Sequence, residues 1–166
     1  MSLVEFVVAS GIGLLVLAAV AALISYTGQS FASMVGYVSM NQQSQLATDR
    51  ITTQLRKMDT LTAISSNTCS FRRGTTNYSL VYNPTNRTLA QVAGAATTVL
   101  LTECDACTFS IYQRNTISNT FDQFPTSVDS NTCKLVQVNW TCSRTLFGLK
   151  KITEAEQSAK VVLRSQ

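Results

Sequence analysis

Two sets of residues in this chain of 166 carry types and positions that bear on chemistry: a lone carboxylate, Glu5, and five cysteines, Cys69, Cys104, Cys107, Cys133 and Cys142. The chain has no histidine, which removes Ser-His-Asp and Cys-His catalysis and any mixed Cys/His zinc site. Cys104-Asp105-Ala106-Cys107 has the C-x-x-C spacing, but Thr108 stands where covalent haem attachment needs a histidine. Nor does the pair follow a strand in a βαβ pattern, so thiol–disulfide enzyme chemistry fits poorly. Structural disulfides formed in an oxidising compartment fit better. The cysteine count is odd, so at least one stays a thiol or pairs between subunits, and spacing does not choose the partners. No carboxylates group as an acid–base pair. The expectation is a non-enzyme, with no metal site and no cofactor.

Glu5 is unusual for what surrounds it. No other charge occurs before Asp49, and Leu3 to Tyr26 is almost wholly apolar. As a helix that stretch reaches about 36 Å, enough to cross a hydrocarbon layer ~30 Å thick. A carboxylate inside a spanning helix costs roughly 2.5–3.5 kcal/mol, so Glu5 needs a partner. A secretory signal has a basic segment ahead of a shorter apolar core, and no basic residue stands ahead of this one.

The elements that position these residues follow from the pattern. Apolar residues recur at helical spacing at Phe31, Val35 and Val38, and again at Ile51, Leu55, Met58 and Leu61. Between them Asn41-Gln42-Gln43-Ser44-Gln45 is polar all round, as in an exposed or intersubunit portion, and no proline occurs before Pro84. One helix over about 2–62 is therefore expected, a rod of about 90 Å that a head of a hundred or so residues does not cover. Beyond it the texture changes to short alternating runs. Tyr78, Leu80 and Tyr82 alternate with smaller residues, Asn83-Pro84-Thr85-Asn86 turns the chain, and Arg87 to Val92 returns as a hairpin. Further strands are expected over 97–102, 108–114, 134–141 and 159–164, with a long loop over 115–131. Tyr78, Tyr82, Phe109, Tyr112 and Trp140 sit at strand spacing and are expected to pack in the sheet. The fold class is α+β: a long N-terminal helix packed by its C-terminal half on a small antiparallel sheet. The chain divides into an apolar helix (1–26), its amphipathic continuation (27–62) and a β-rich head (63–166).

The run Met1-Ser2-Leu3-Val4-Glu5-Phe6, followed by some twenty apolar residues, resembles the mature N-terminus of type IV pilins and type II secretion pseudopilins. With Gly11-Ile12-Gly13-Leu14-Leu15 it is most similar to the larger minor pilins of the PilW kind. The resemblance covers the first 25 to 30 residues and continues beyond them only as architecture. It implies that a prepilin peptidase has removed a basic leader and methylated the amino group of Met1; an N-terminal peptide heavier by one methyl is the measurement that checks it. It also implies assembly through Met1 and Glu5, with the Glu5 carboxylate meeting the amino terminus of a neighbouring subunit. The alternative role for Glu5 is within its own helix, pairing with its own terminus or favouring the helix start.

The function so implied is that of a structural subunit in a pilus-like extracellular filament for adhesion or motility. The chain waits in a bacterial inner membrane, polymerises through its N-terminal helix, and is handled by pilus or secretion assembly machinery. Two alternatives stand beside it: a minor pilin or pseudopilin priming a pilus or a secretion pseudopilus, and a membrane-anchored binding protein that never polymerises. Two departures from the pilin pattern are visible. Position 22 is Ala where many pilins have proline, so any loosened segment is expected near Gly11–Gly13 or Gly28. The head also lacks two cysteines plainly bracketing a terminal loop; Cys133 and Cys142 take that part only if 134–141 is a loop, since across a strand their sulfurs are too far apart to bond. Arg72-Arg73 and Lys150-Lys151 are basic, but a net charge of +4 is low for a nucleic-acid binder, and they are expected to be solvated surface.

Overall fold

With proline absent and glycine sparse until the head begins, nothing in the N-terminal third interrupts helical hydrogen bonding. In the computed structural model, which describes residues 2–113, 130–146 and 149–163, helix α1 runs unbroken over Leu3–Arg56 for 54 residues, about 81 Å. It passes through Gly11, Gly13 and Gly28 without loosening. Ser2 is the N-cap in extended conformation, and its side chain accepts the N–H of Glu5. The helix stops at Arg56, not near 62. Lys57 turns back to bond the carbonyl of Gln54 at 3.1 Å, and the Thr-rich run behind it, β1 (Thr60–Ile64), pairs as a strand. Threonine and isoleucine are stiff at χ1 and sit better on a pleated surface. Met58 and Leu61 are buried as their spacing implied, but in the turn and strand after the helix.

The head contains two antiparallel sheets where one was expected. Strands β2 (Thr68–Arg73), β3 (Thr76–Asn83), β4 (Thr88–Ala93) and β5 (Ala96–Leu101) extend β1 into a five-stranded meander in chain order. Strands β6 (Cys104–Gln113), β7 (Cys133–Leu146) and β8 (Leu149–Val162) make a second sheet of three. The expected hairpin appears as β3 and β4, and the further expected strands overlap β5, β6, β7 and β8, with Arg114 and Arg164 outside the described residues. β1 and β2 were missed. The expected loop over 115–131 lies outside the described residues as far as 129, and Ser130–Thr132 forms a short 3-10 turn. Two hairpins, β2–β3 and β4–β5, turn on Gly74 and Gly94, at φ of 59° and 58°, a left-handed conformation that glycine adopts without steric cost. The β3–β4 turn uses Pro84 and the Asn83 carboxamide, whose Oδ1 accepts the N–H groups of Thr85 and Asn86.

The core lies between α1 and the inner faces of both sheets. On the helix its stripe is Gly36, Met40, Ser44, Ala47, Ile51 and Leu55, steps of three and four that keep one face toward the head. The stripe passes straight through the polar stretch 41–45, so Ser44 is buried there, not exposed. Its Oγ accepts the indole N–H of Trp140 on β7 at 3.3 Å. Strand β8 is the principal partner of the helix: Thr48 donates to Gln157 Oε1 at 3.2 Å, and Gln157 Nε2 donates to Asn41 Oδ1 at 3.4 Å. Of the expected packing aromatics, Tyr82, Phe109 and Trp140 are buried, and Tyr78 stacks on Phe71 with ring centroids 5.7 Å apart.

A polar latch joins the two sheets. Arg87, at the start of β4, places Nη2 2.6 Å from Asp105 Oδ1 and 2.7 Å from the Ser143 carbonyl. Ser143 donates its hydroxyl to Asp105 Oδ2, and Arg144 Nε lies 2.6 Å from Glu103 Oε2. The Tyr82 hydroxyl reaches the Asp105 carbonyl at 2.6 Å. Arg87 and Glu103 both have positive φ, 51° and 59°, which costs an ordinary residue about 1–2 kcal/mol; the charge-assisted hydrogen bonds here offset it. Arg87→Ala removes a cationic donor from the Glu103 and Ser143 carbonyls and from Asp105, which keeps the Ser143 hydroxyl, and is expected to cost about 1–3 kcal/mol, read as a lowered urea midpoint at unchanged m-value.

Candidate assembly surface

Past its buried stripe, the helix has nothing of its own chain to pack on. From Leu3, 81% exposed, to Val38, 50% exposed, its large apolar side chains face outward on every side, Phe6, Leu15, Ile24 and Phe31 among them. Burying apolar surface is worth about 25 cal/mol per Å2, so this face is the largest unspent source of cohesion in the chain. Phe31, Val35 and Val38, read from spacing as a packing stripe, are exposed in the subunit. Among the described residues, α1 is the one helix whose length and apolar composition suffice to cross a membrane. A Cβ built on Gly11, Gly13 or Gly28 meets no atom within 4 Å, so the subunit itself gives no packing reason for glycine at those positions.

At the tip, Glu5 and Ser2 form a reciprocal capping box. Glu5 Oε2 accepts the Ser2 N–H at 2.8 Å, and Ser2 Oγ accepts the Glu5 N–H at 3.3 Å. The S-x-x-E spacing ahead of an apolar run is the sequence mark of this motif, so the role of Ser2 was open to reading from the sequence. Both residues are exposed. Met1 lies outside the described residues.

The five cysteines are all buried and stand as thiols. Residues 134–141 are strand, not loop, so Cys142 lies nine positions beyond Cys133 in β7, about 30 Å along an extended chain; they do not bond. Cys104 and Cys107 share β6 and do not bond either: three steps along a strand put them about 10 Å apart, against the 4.4–6.8 Å between Cα atoms of a disulfide. A bulge at Asp105 turns both onto the buried face. Burial pushes the Cys69 and Cys107 thiols up to about 12. Among the described residues no group of His, Cys, Asp and Glu is arranged to hold a metal. Arg72 and Arg73 are exposed at the end of β2; the side chains of Lys150 and Lys151 lie outside the described residues.

No family model, no curated protein and no solved structure matches this chain. What the coordinates define is a class of architecture: a long apolar N-terminal helix docked by its C-terminal half on antiparallel sheets.

Proposed function

We propose that the chain is the subunit of a pilin-like filament, held in a membrane by the first half of α1 and polymerised through it. The observation that carries this reading is the run of exposed large apolar side chains along α1 from Leu3 to Val38. A single-pass anchor needs about 20 apolar residues; this surface continues past that length and ends only where the stripe at Gly36 and Met40 begins to dock. Parallel packing of copies buries it, and glycines with no intrachain neighbour permit close approach between helices. Glu5 supplies register: beside the cationic amino terminus of a neighbouring subunit its charge is paired, and in a mis-seated copy it is not.

One observation favours the non-polymerising anchor. The capping box already gives the Glu5 carboxylate a donor within its own chain. Electron microscopy of the native protein separates the two readings. The proposal expects helical filaments with the helices inside and the sheets outside; membrane-bound protein with no filament under conditions of full expression overturns it.

A further inference from the structure

Of the five cysteines, Cys104 and Cys142 are the two that stand opposite another cysteine across a strand pair. In the β6–β7 ladder Cys104 stands opposite Cys142, whereas Cys107 stands opposite Trp140, and Cys133 opposite Gln113. Cys69, in the other sheet, stands opposite Ile64 and Leu80. Directly opposed residues of an antiparallel pair have Cα atoms about 4.5 or 5.5 Å apart, and side chains on one face. Both values fall in the window a disulfide requires. Cys104 and Cys142 are both buried.

We propose that Cys104 and Cys142 are joined by a disulfide that staples β6 to β7. The proposal rests on the reading above, which places the head outside the cytoplasm, where such bonds persist. The two thiols are close enough to hydrogen-bond to each other; that bond pulls the Cys142 thiol below its ordinary value and, with burial, drives Cys104 up. The exchange balances the same way from either sulfur; starting from the Cys142 side, the attacking group is its thiolate. It attacks a disulfide of the oxidising partner, a thiol–disulfide exchange protein or glutathione disulfide, and one thiolate leaves. Cys104 then gives up its proton and attacks the Cys142 sulfur of the mixed disulfide, releasing the second thiolate. Two cysteine thiols are oxidised and one donor disulfide is reduced to two thiols. Burial of both sulfurs places this exchange before β6 and β7 close.

The position gives the bond a purpose. Asp105 and Ser143, the next residues along from each cysteine, hydrogen-bond to each other and hold Arg87. The staple therefore fixes the spacing of the two strand segments that form one side of the intersheet latch. It also closes the chain on either side of 105–141 without using a loop-bracketing pair.

Peptide mapping tests this on the full chain in detergent, alkylated without reductant. Trypsin releases Cys142 in peptide 135–144, and Cys104 with Cys107 in peptide 88–114. The expected result is a linked 88–114/135–144 pair, with fragment ions assigning the bond to Cys104. The link persists in Cys107→Ser and disappears in Cys104→Ser; should that variant not fold, the wild-type fragment ions decide alone. The reduced chain is also equilibrated with reduced and oxidised glutathione. A link to Cys107, or Cys142 still open to alkylation after that equilibration, overturns the proposal. A bond that forms in the glutathione buffer but is missing from the native protein supports the pairing and counts against the extracytoplasmic location.

Discussion

Replacing Glu5 by valine is expected to leave the protein in the membrane fraction and to reduce filament yield to background. The insertion half of this result follows from cost: a carboxylate in the hydrocarbon is unfavourable by roughly 2.5–3.5 kcal/mol, so its removal makes the anchor better. The assembly half follows if the carboxylate pairs across subunits, because the neighbour's cationic group is then buried with no counter-charge. The capping box adds a second reason for loss, since valine also removes the acceptor for the Ser2 N–H, worth about 1 kcal/mol of helix start. Glu5→Gln separates the two effects. Its amide oxygen still accepts from Ser2, so the capping box survives, but the charge is gone. Loss of filaments in the glutamine variant, counted by negative-stain microscopy at matched expression, is the outcome expected of a register charge. Wild-type filament yield from Glu5→Gln would show that capping alone accounts for the residue.

Trp140→Ala is the substitution expected to cost most stability in the head, about 3–5 kcal/mol. The indole is 1% exposed, the largest of the fully buried side chains, and it lies on the sheet face that meets the helix. Alanine leaves a cavity where β7 meets α1, and it removes the indole donor from the buried Ser44 hydroxyl. Trp140→Phe keeps most of the volume and loses only the hydrogen bond, so its expected cost is about 1 kcal/mol. The ordering is read from urea midpoints followed by far-ultraviolet circular dichroism in detergent, since the alanine variant has no tryptophan to report. Equal midpoints for alanine and phenylalanine would mean that the helix docks without the indole.

The long helix and the hairpin at Asn83–Asn86 were legible because their signals are local: a charge-free apolar run, and an Asn-Pro turn between alternating residues. The end of the helix was not. Met58 and Leu61 continue the apolar rhythm of Ile51 and Leu55, yet they do so from a turn and a strand. Their spacing records burial against one core, which two elements share. Strand β2 was hidden because Arg72 and Arg73 break its alternation at an exposed end, while Cys69 and Phe71 alone mark its inner face. The latch that joins the two sheets draws Arg87, Glu103, Asp105, Ser143 and Arg144 from three separate stretches; no local pattern announces such a set. At the candidate assembly surface the Ser2–Glu5 motif and the apolar helix were both readable. The cysteine partnership was not, because register across β6 and β7 is a tertiary fact.

The contact of α1 with β8 also sets a timetable. Thr48 and Asn41 find Gln157 across 109 and 116 residues of chain, so the helix meets its principal sheet partner only after that stretch has been made. The five-stranded meander, built from neighbours in sequence, has no such wait. The docking half of the helix therefore has β5 to pack on first and gains its larger contact, with β8, afterwards. A chain cut short before β8 keeps the helix, the meander and their contact through β5, and loses the larger of the helix–sheet contacts, so docking of the helix is complete only once β8 is paired.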